Sequence, residues 1–170
     1  SICEHCFAAA TVARYSMLEQ HLKDNTELLT ERVLEDWELP RFLYTTLFVR
    51  IEAFGDTNNV IQDINYLNIA RVNHFQRVSA WTKNPKHWEA ALEVVPKPEN
   101  FTLIYSSPRL NECAEYVLER YPFFDKVFTV YTKDYIDEFG IIINCGGKRC
   151  GECGLCYLPN DVKYINEVLK

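Results

Sequence analysis

Apolar residues recur along this chain with two spacings, and the change between them comes near residue 40. Before Pro40 the spacing is helical, from Ala8 through Leu18 to Leu34. After it, short β-rich runs alternate with amphipathic segments. The pattern predicts strands at 47–53, 76–82, 101–106, 126–132 and 141–144, and helices at 60–72, 85–95, 111–121 and 161–169. Residues 133–139 are too few to assign.

Strands that alternate with helices predict a mainly parallel sheet and an α/β fold. The aromatic residues Trp81, Tyr105 and Tyr131 lie near the ends of three predicted strands, at intervals of 24 and 26 residues. Each interval is about one strand-plus-helix unit, which favours a partial (β/α) barrel over a doubly wound open sheet. A full eight-unit barrel needs about 250 residues, so this chain is too short for one.

Proteins of this class bind ligands where the parallel strands end, so we expect one rim formed by the residues that follow the strands. Glu52, Asp56 and Lys83 are the candidate catalytic residues on that rim. Lys83 and its counterpart Lys133 are placed to bind a carboxylate or phosphate, with ordinary strand-end solubility as the alternative. Arg50 and Glu52 share a strand face by the two-residue period, so an ion pair sealing the strand end is the alternative for Glu52.

The composition narrows the class of protein. The 170 residues are 48% hydrophobic, enough for one α/β domain. We expect this domain to have three parts. Residues 1–40 carry a cysteine motif and helices, residues 41–144 carry the β/α units, and residues 145–170 carry a cysteine-rich metal loop and a C-terminal helix. The net charge of −6 leaves nucleic acid possible as a partner but does not indicate it. We find no run of about 20 apolar residues and therefore expect a cytoplasmic protein without membrane association.

Four of the seven cysteines fall within twelve residues near the C-terminus, and they are Cys145, Cys150, Cys153 and Cys156. Thiols this close converge only if the backbone wraps around a centre, which the glycines between them permit. The spacing is typical of iron–sulfur ligands, and it also suits a zinc site with four thiolates. We favour an iron–sulfur cluster, with structural zinc as the alternative.

A second motif, Cys3-Glu-His-Cys6, leads directly into the first predicted helix. A helix N-terminus lowers the pKa of nearby thiols and prepares them as ligands. The two cysteines are candidates for a separate metal centre, or for half of a zinc site completed by the C-terminal cysteines. Cys113 stands alone in a helical stretch and is interpreted as a small apolar core residue.

The run Cys3-Glu-His-Cys6-Phe-Ala resembles the last part of the radical SAM signature. It is more similar still to the start of small cysteine-rich, radical-SAM-like proteins encoded by phages and Firmicutes. The resemblance continues through 75–85, 98–107 and the cysteine-rich ending, and so covers most of the chain. The first cysteine of the signature would lie upstream of Ser1, so we expect the chain to begin inside a longer protein and to lack the first strand of the barrel.

This resemblance implies a truncated radical SAM barrel, with a 4Fe–4S cluster held partly by Cys3 and Cys6 and with S-adenosylmethionine as cofactor. Gly55, with Glu52 or Asp56, would contact the amino group of that cofactor. Aromatic residues would line the rim where the radical forms, and these are Trp81, Tyr105 and Tyr131.

Three functions are therefore open at the level of the sequence. The leading hypothesis is a radical-SAM-like iron–sulfur enzyme of unknown substrate. The second is a zinc-stabilised phage or mobile-element domain that binds a protein or nucleic acid through Lys148 and Arg149. The third keeps the cluster but uses it for electron transfer or sensing.

Overall fold

A computed structural model describes residues 7–15, 17–53, 55–146 and 149–169. Its helices are α1 (Phe7–Arg14), α2 (Leu18–Glu31), α3 (Val60–Val72), α4 (Pro85–Val94), α5 (Tyr116–Arg120), α6 (Lys133–Phe139) and α7 (Cys150–Cys153). Its strands are β1 (Phe48–Ile51), β2 (Arg77–Thr82), β3 (Phe101–Ser106), β4 (Lys126–Tyr131) and β5 (Tyr164–Val168). The α/β class, β1 to β4, and the two central helices α3 and α4 agree with the sequence pattern.

The five strands form one parallel sheet in the order β1-β2-β3-β4-β5. Because this order follows the chain, right-handed crossovers place successive helices on the same face. The core on that face combines residues of three helices with residues of two inner strands, namely Leu67, Trp88, Val117, Val78 and Leu103. The sheet therefore winds in one direction, and the doubly wound arrangement is ruled out.

Buried asparagine side chains attach the N-terminal segment to α3. The Oδ1 atom of Asn65 accepts the amide of Leu34 at 2.8 Å, and its Nδ2 donates to the carbonyls of Leu29 and Arg32. Asn73, directly after the last turn of α3, repeats this pattern and accepts the amide of Phe42. Buried polar groups need such partners, so these contacts set how the N-terminal segment lies against the domain.

The C-terminal helix predicted at 161–169 is wrong, because residues 164–168 form β5. This strand pairs with β4, and its Ile165 is fully buried. The strand predicted at 141–144 is wrong as well. That segment is irregular and lies along the outer edge of β5, and Cys145, directly after it, forms a parallel bridge with Glu167. The free edge of β4 accepts one segment, and pairing there overrides the local helical spacing of 161–169.

The helix predicted at 111–121 begins only at Tyr116. Asn111 adopts a left-handed conformation with φ of 62°, which asparagine tolerates better than most residues, and its side chain accepts the amide of Thr132 at 2.7 Å. The unassigned stretch after Thr132 is α6, which the Thr132 hydroxyl caps and Gly140 ends with φ of 64°.

Every helix in the described ranges is too short or too polar to cross a bilayer.

We predict that Ile165→Ala lowers the free energy of unfolding by about 2–5 kcal/mol, because it removes a fully buried side chain from the sheet. The matched control is Ile142→Ala in the irregular segment. Ile142 is 80% exposed, so this change should cost no more than about 0.5 kcal/mol. Urea denaturation followed by circular dichroism measures both. The reverse ranking would mean that 141–144, and not 164–168, is the inner strand.

Candidate functional site

We call residues 145–157 the cysteine loop, and its described part, 145–146 and 149–157, lies across the sheet face opposite α3, α4 and α5. Leu155 and the half-buried thiols Cys145 and Cys156 pack against a second core formed by Trp81, Ile104 and Ile165. Tyr157 closes the loop. Its ring centroid is 4.8 Å from that of Phe48 and 6.4 Å from that of Trp81. The loop therefore shields the second face of the sheet from solvent.

A single helical turn and a left-handed glycine give the cysteine loop its shape. The turn is α7, which begins at Cys150 and ends at Cys153. Gly154 follows with φ of 65°, where a Cβ atom would also lie 2.8 Å from the Leu158 side chain. The amide of Tyr157 donates to the Gly154 carbonyl at 2.9 Å. This reversal turns the chain back toward the sheet directly after two exposed cysteines.

The four thiols of the cysteine loop act on one another electrostatically. Burial, together with the thiols of Cys145, Cys150 and Cys153, raises the pKa of the Cys156 thiol to about 12, and Arg50 opposes the rise. In the described part of the chain, no three histidine, cysteine or acidic side chains stand in an arrangement that could hold a metal ion. The fold gathers the thiols on one face without the geometry of a formed centre.

Arg50 and Glu52 do not form the ion pair considered from the sequence. Glu52 has φ of 54°, so its side chain leaves the strand alternation and turns toward α3. There its Oε1 accepts hydrogen bonds from the hydroxyl of Tyr66 and from Nε2 of Gln62, the latter at 3.0 Å. Arg50 stays on the opposite face, with its guanidinium carbon 4.0 Å from the centroid of the Trp81 ring.

Carboxylates cluster where β1 and β2 end. Asp56 accepts hydrogen bonds from the hydroxyl of Thr82 at 2.7 Å and from the amide of Lys83 at 2.6 Å. Burial raises the pKa of Glu52, and the negative charge of Asp56 adds to that rise. Behind them lies Asp63 on α3. It is fully buried, and burial with its two acidic neighbours raises its pKa to about 8. Burial at this end of the sheet therefore favours the protonated form of Asp63.

The aromatic residues predicted to share the rim lie on different faces. Trp81 pairs in register with Ile104 and faces the cysteine loop, whereas Tyr105 pairs with Thr82 and faces the helices. Tyr131 also lies toward the helices and stacks on Tyr135 of α6, with centroids 5.9 Å apart. The structure thus brings Trp81 to the thiols and separates it from both tyrosines.

The remaining candidates occupy less specific positions. Gly55, with φ of 98°, and the side chains of Lys83 and Lys133 are exposed. Cys113 is half-buried beside the helix-side core, as expected for an apolar role. Cys3, Cys6 and Lys148 lie outside the described residues.

The sequence pattern missed three polar residues around these sites. Asp63 and Tyr66 are three residues apart, which places them on one face of α3. Lys126 is 2% exposed, and its Nζ donates to Oδ1 of Asn160 at 2.6 Å and to the carbonyl of Val162 at 2.9 Å. A charged residue inside a predicted buried strand was the available signal for Lys126.

Fold and site together define an α/β protein whose one-directional parallel sheet carries a thiol-rich loop on its free face. The family model for gene product 88 (GP88) matches residues 1–159, so the chain belongs to that phage-type family. Neither a curated protein nor a solved structure matches the chain.

We predict that Asp63→Asn stabilises the protein relative to the wild type, and increasingly so as the pH rises from about 4 to about 8. In the wild type the folded state holds the Asp63 proton over this range while the unfolded state releases it. Stability therefore falls with rising pH, by up to about 1.4 kcal/mol per pH unit. Asparagine has no such proton, so the difference between the two proteins grows until the pH passes the folded-state pKa.

Urea denaturation at several pH values measures this difference. Asp137→Asn, an exposed carboxylate replaced on α6, is the control and should track the wild type. A pH-independent difference between Asp63→Asn and the wild type would contradict the raised pKa.

Proposed function

We propose that this protein binds an iron–sulfur cluster through Cys145, Cys150, Cys153 and Cys156. The observation that carries the proposal is the arrangement of the cysteine loop, which crosses one apolar patch of the sheet and carries all four thiols. Two of them pack on that patch, and the other two lie on an exposed turn directly above the reversal at Gly154.

The donor set fits a thiolate metal centre in its chemistry. Four thiols suit iron–sulfur clusters or zinc, because soft sulfur ligands select these metals. Metal binding removes the thiol protons outright, which would overcome the raised pKa of Cys156. A preformed site is not needed, because ligand convergence and metal binding are commonly coupled.

We further propose that the sheet is an incomplete (β/α) barrel related to radical SAM enzymes. Its chain-ordered strands with helices on one face support this, because barrels of that kind are wound in the same way. Cys3 and Cys6 would then hold a second cluster, and S-adenosylmethionine would bind at the carboxyl end of the sheet, near Gly55 and Glu52. A reduced cluster supplies single electrons to such a cofactor.

In this proposal the residues around Glu52 orient its carboxylate. Tyr66 and Gln62 both donate to Oε1, which leaves Oε2 to accept from a ligand amine. Asp56 is engaged by Thr82 and by the Lys83 amide, and so it shapes the loop. Glu52 is therefore the better candidate for contact with a cofactor, and Asp56 for positioning.

A structural zinc site is the second candidate, and the role of the cysteine loop in the fold favours it. Cys145 bridges to β5, and the carbonyl of Tyr157 accepts the hydroxyl of Thr102 on β3 at 3.3 Å. A zinc ion bound by these thiols would stabilise the packing of the cysteine loop on the sheet. Arg149, which is exposed, would then be available to a protein or nucleic acid partner.

We predict that anaerobically purified protein is brown and contains about four irons per chain for each cubane cluster. The double variant Cys150→Ser/Cys153→Ser should lose the C-terminal cluster, because it removes half of the thiols. Cys113→Ser should retain it, since Cys113 lies on the helix side of the sheet. Iron and acid-labile sulfide analysis measures these contents. Colourless protein with stoichiometric zinc would favour the structural site, and protein without either metal would overturn both.

A separate measurement tests the radical SAM part of the proposal. The double variant Cys3→Ser/Cys6→Ser should contain less iron than the wild type, because it loses the second cluster. In its reduced form it should no longer produce 5′-deoxyadenosine from S-adenosylmethionine. Retained iron with no 5′-deoxyadenosine in the unmodified chain would point to electron transfer or sensing.

A further inference from the structure

Arg50 is an exposed arginine on β1 that the fold holds beside the cysteine loop. Its guanidinium lies over the indole of Trp81, which belongs to the second core against which Cys145 and Cys156 pack. Phe48, two residues earlier on the same strand face, contacts the ring of Tyr157 at the end of the loop. Two neighbouring positions of β1 thus border the loop, one with an aromatic ring and one with a positive charge.

Stacking on the Trp81 ring holds the guanidinium of Arg50. Among the residues that the structure describes, no carboxylate pairs with Arg50 and its side chain makes no hydrogen bond. A cation stacked on an aromatic face is held in position while its N–H groups stay free to donate. The guanidinium of Arg50 is therefore held in a fixed orientation beside the thiols, with its positive charge and its N–H groups available to them.

A centre of four thiolates is net negative with either a divalent metal ion or an oxidised cubane cluster, because the ligand charges outnumber that of the metal group. Part of this charge would lie against the apolar side chains of Trp81, Ile104 and Ile165. Placing an anion against an apolar wall is costly without a nearby cation. Lys126 is another cation close to Cys156, but its ammonium is already bonded to Asn160 and Val162.

We propose that Arg50 is the counter-charge of the thiolate centre and that the Trp81 ring holds it in place. The inference rests on the proposed metal-binding function and adds a positioning residue from outside the cysteine loop. The N–H groups of Arg50 would donate hydrogen bonds to the sulfur atoms of the ligands. These bonds would stabilise the metal-bound form of the site relative to the metal-free thiols.

Titration with Co²⁺ tests this inference, because thiolate-to-cobalt absorption reports the centre directly and requires no enzymatic activity. Removal of an outer partner of a metal centre typically costs ten- to a hundredfold in affinity, so Arg50→Gln should weaken Co²⁺ binding by about that factor. Arg50→Lys keeps the charge but loses the planar stacking and should recover part of the affinity. A purely structural role for Arg50 would show no such rescue by charge.

Arg120→Gln is the matched control. Arg120 also lies over an aromatic ring, that of Tyr121 at 5.5 Å, but Tyr121 belongs to the helix-side core. This variant should bind Co²⁺ like the wild type. Because Arg50 is exposed, its variants should fold, and urea denaturation verifies this.

The two levels of the proposal fail in different ways. Wild-type protein that binds neither Co²⁺, zinc nor iron would overturn the metal-binding function and the role of Arg50 together. Wild-type protein that binds Co²⁺, with Arg50→Gln binding within about twofold of it, would overturn only the role of Arg50. Equal losses in Arg50→Gln and Arg50→Lys would also contradict a role carried by charge.

Discussion

A parallel sheet must be covered on both faces, and in the described part of this protein the helices that connect β1 to β4 cover only one. The chain order of the strands sends each helical crossover to the same side, which leaves Trp81, Ile104 and Ile165 on the other. The cysteine loop is the segment that covers them. The rest of the C-terminal structure depends on this requirement, because the loop must cross the sheet before β5 can pair with β4.

The same requirement joins stability to the candidate function. The side chains that cover the second face include two of the four thiols, so any group bound there would touch the core of the protein. Tyr157 and Gly154 shape the loop from one end, and the bridge from Cys145 to β5 fixes it at the other. Oxidation or metal exchange at the thiols would therefore act on the packing of the sheet as well as on the site.

The spacing of apolar residues predicted correctly those helices and strands whose own sequence shows which faces are buried. The period of α3 and the apolar runs of β2 and β3 are readable because one face or both faces of each segment are buried. Residues 161–169 carry apolar residues that suit a helix and a strand alike, and the free edge of β4 decided between them. Asn111 broke its predicted helix because its side chain bonds to Thr132, which is 21 residues away.

The sequence by itself determined that four thiols lie within twelve residues and that polar side chains follow the strands. Only the tertiary structure decided which of these residues meet. Trp81 faces the thiols and Tyr105 faces the helices because their strands pair one residue out of step with the sequence spacing. Glu52 itself has a left-handed backbone conformation, and this turns its side chain away from Arg50. The side-chain face depends on register and backbone twist between distant segments, and the spacing within a single segment carries neither.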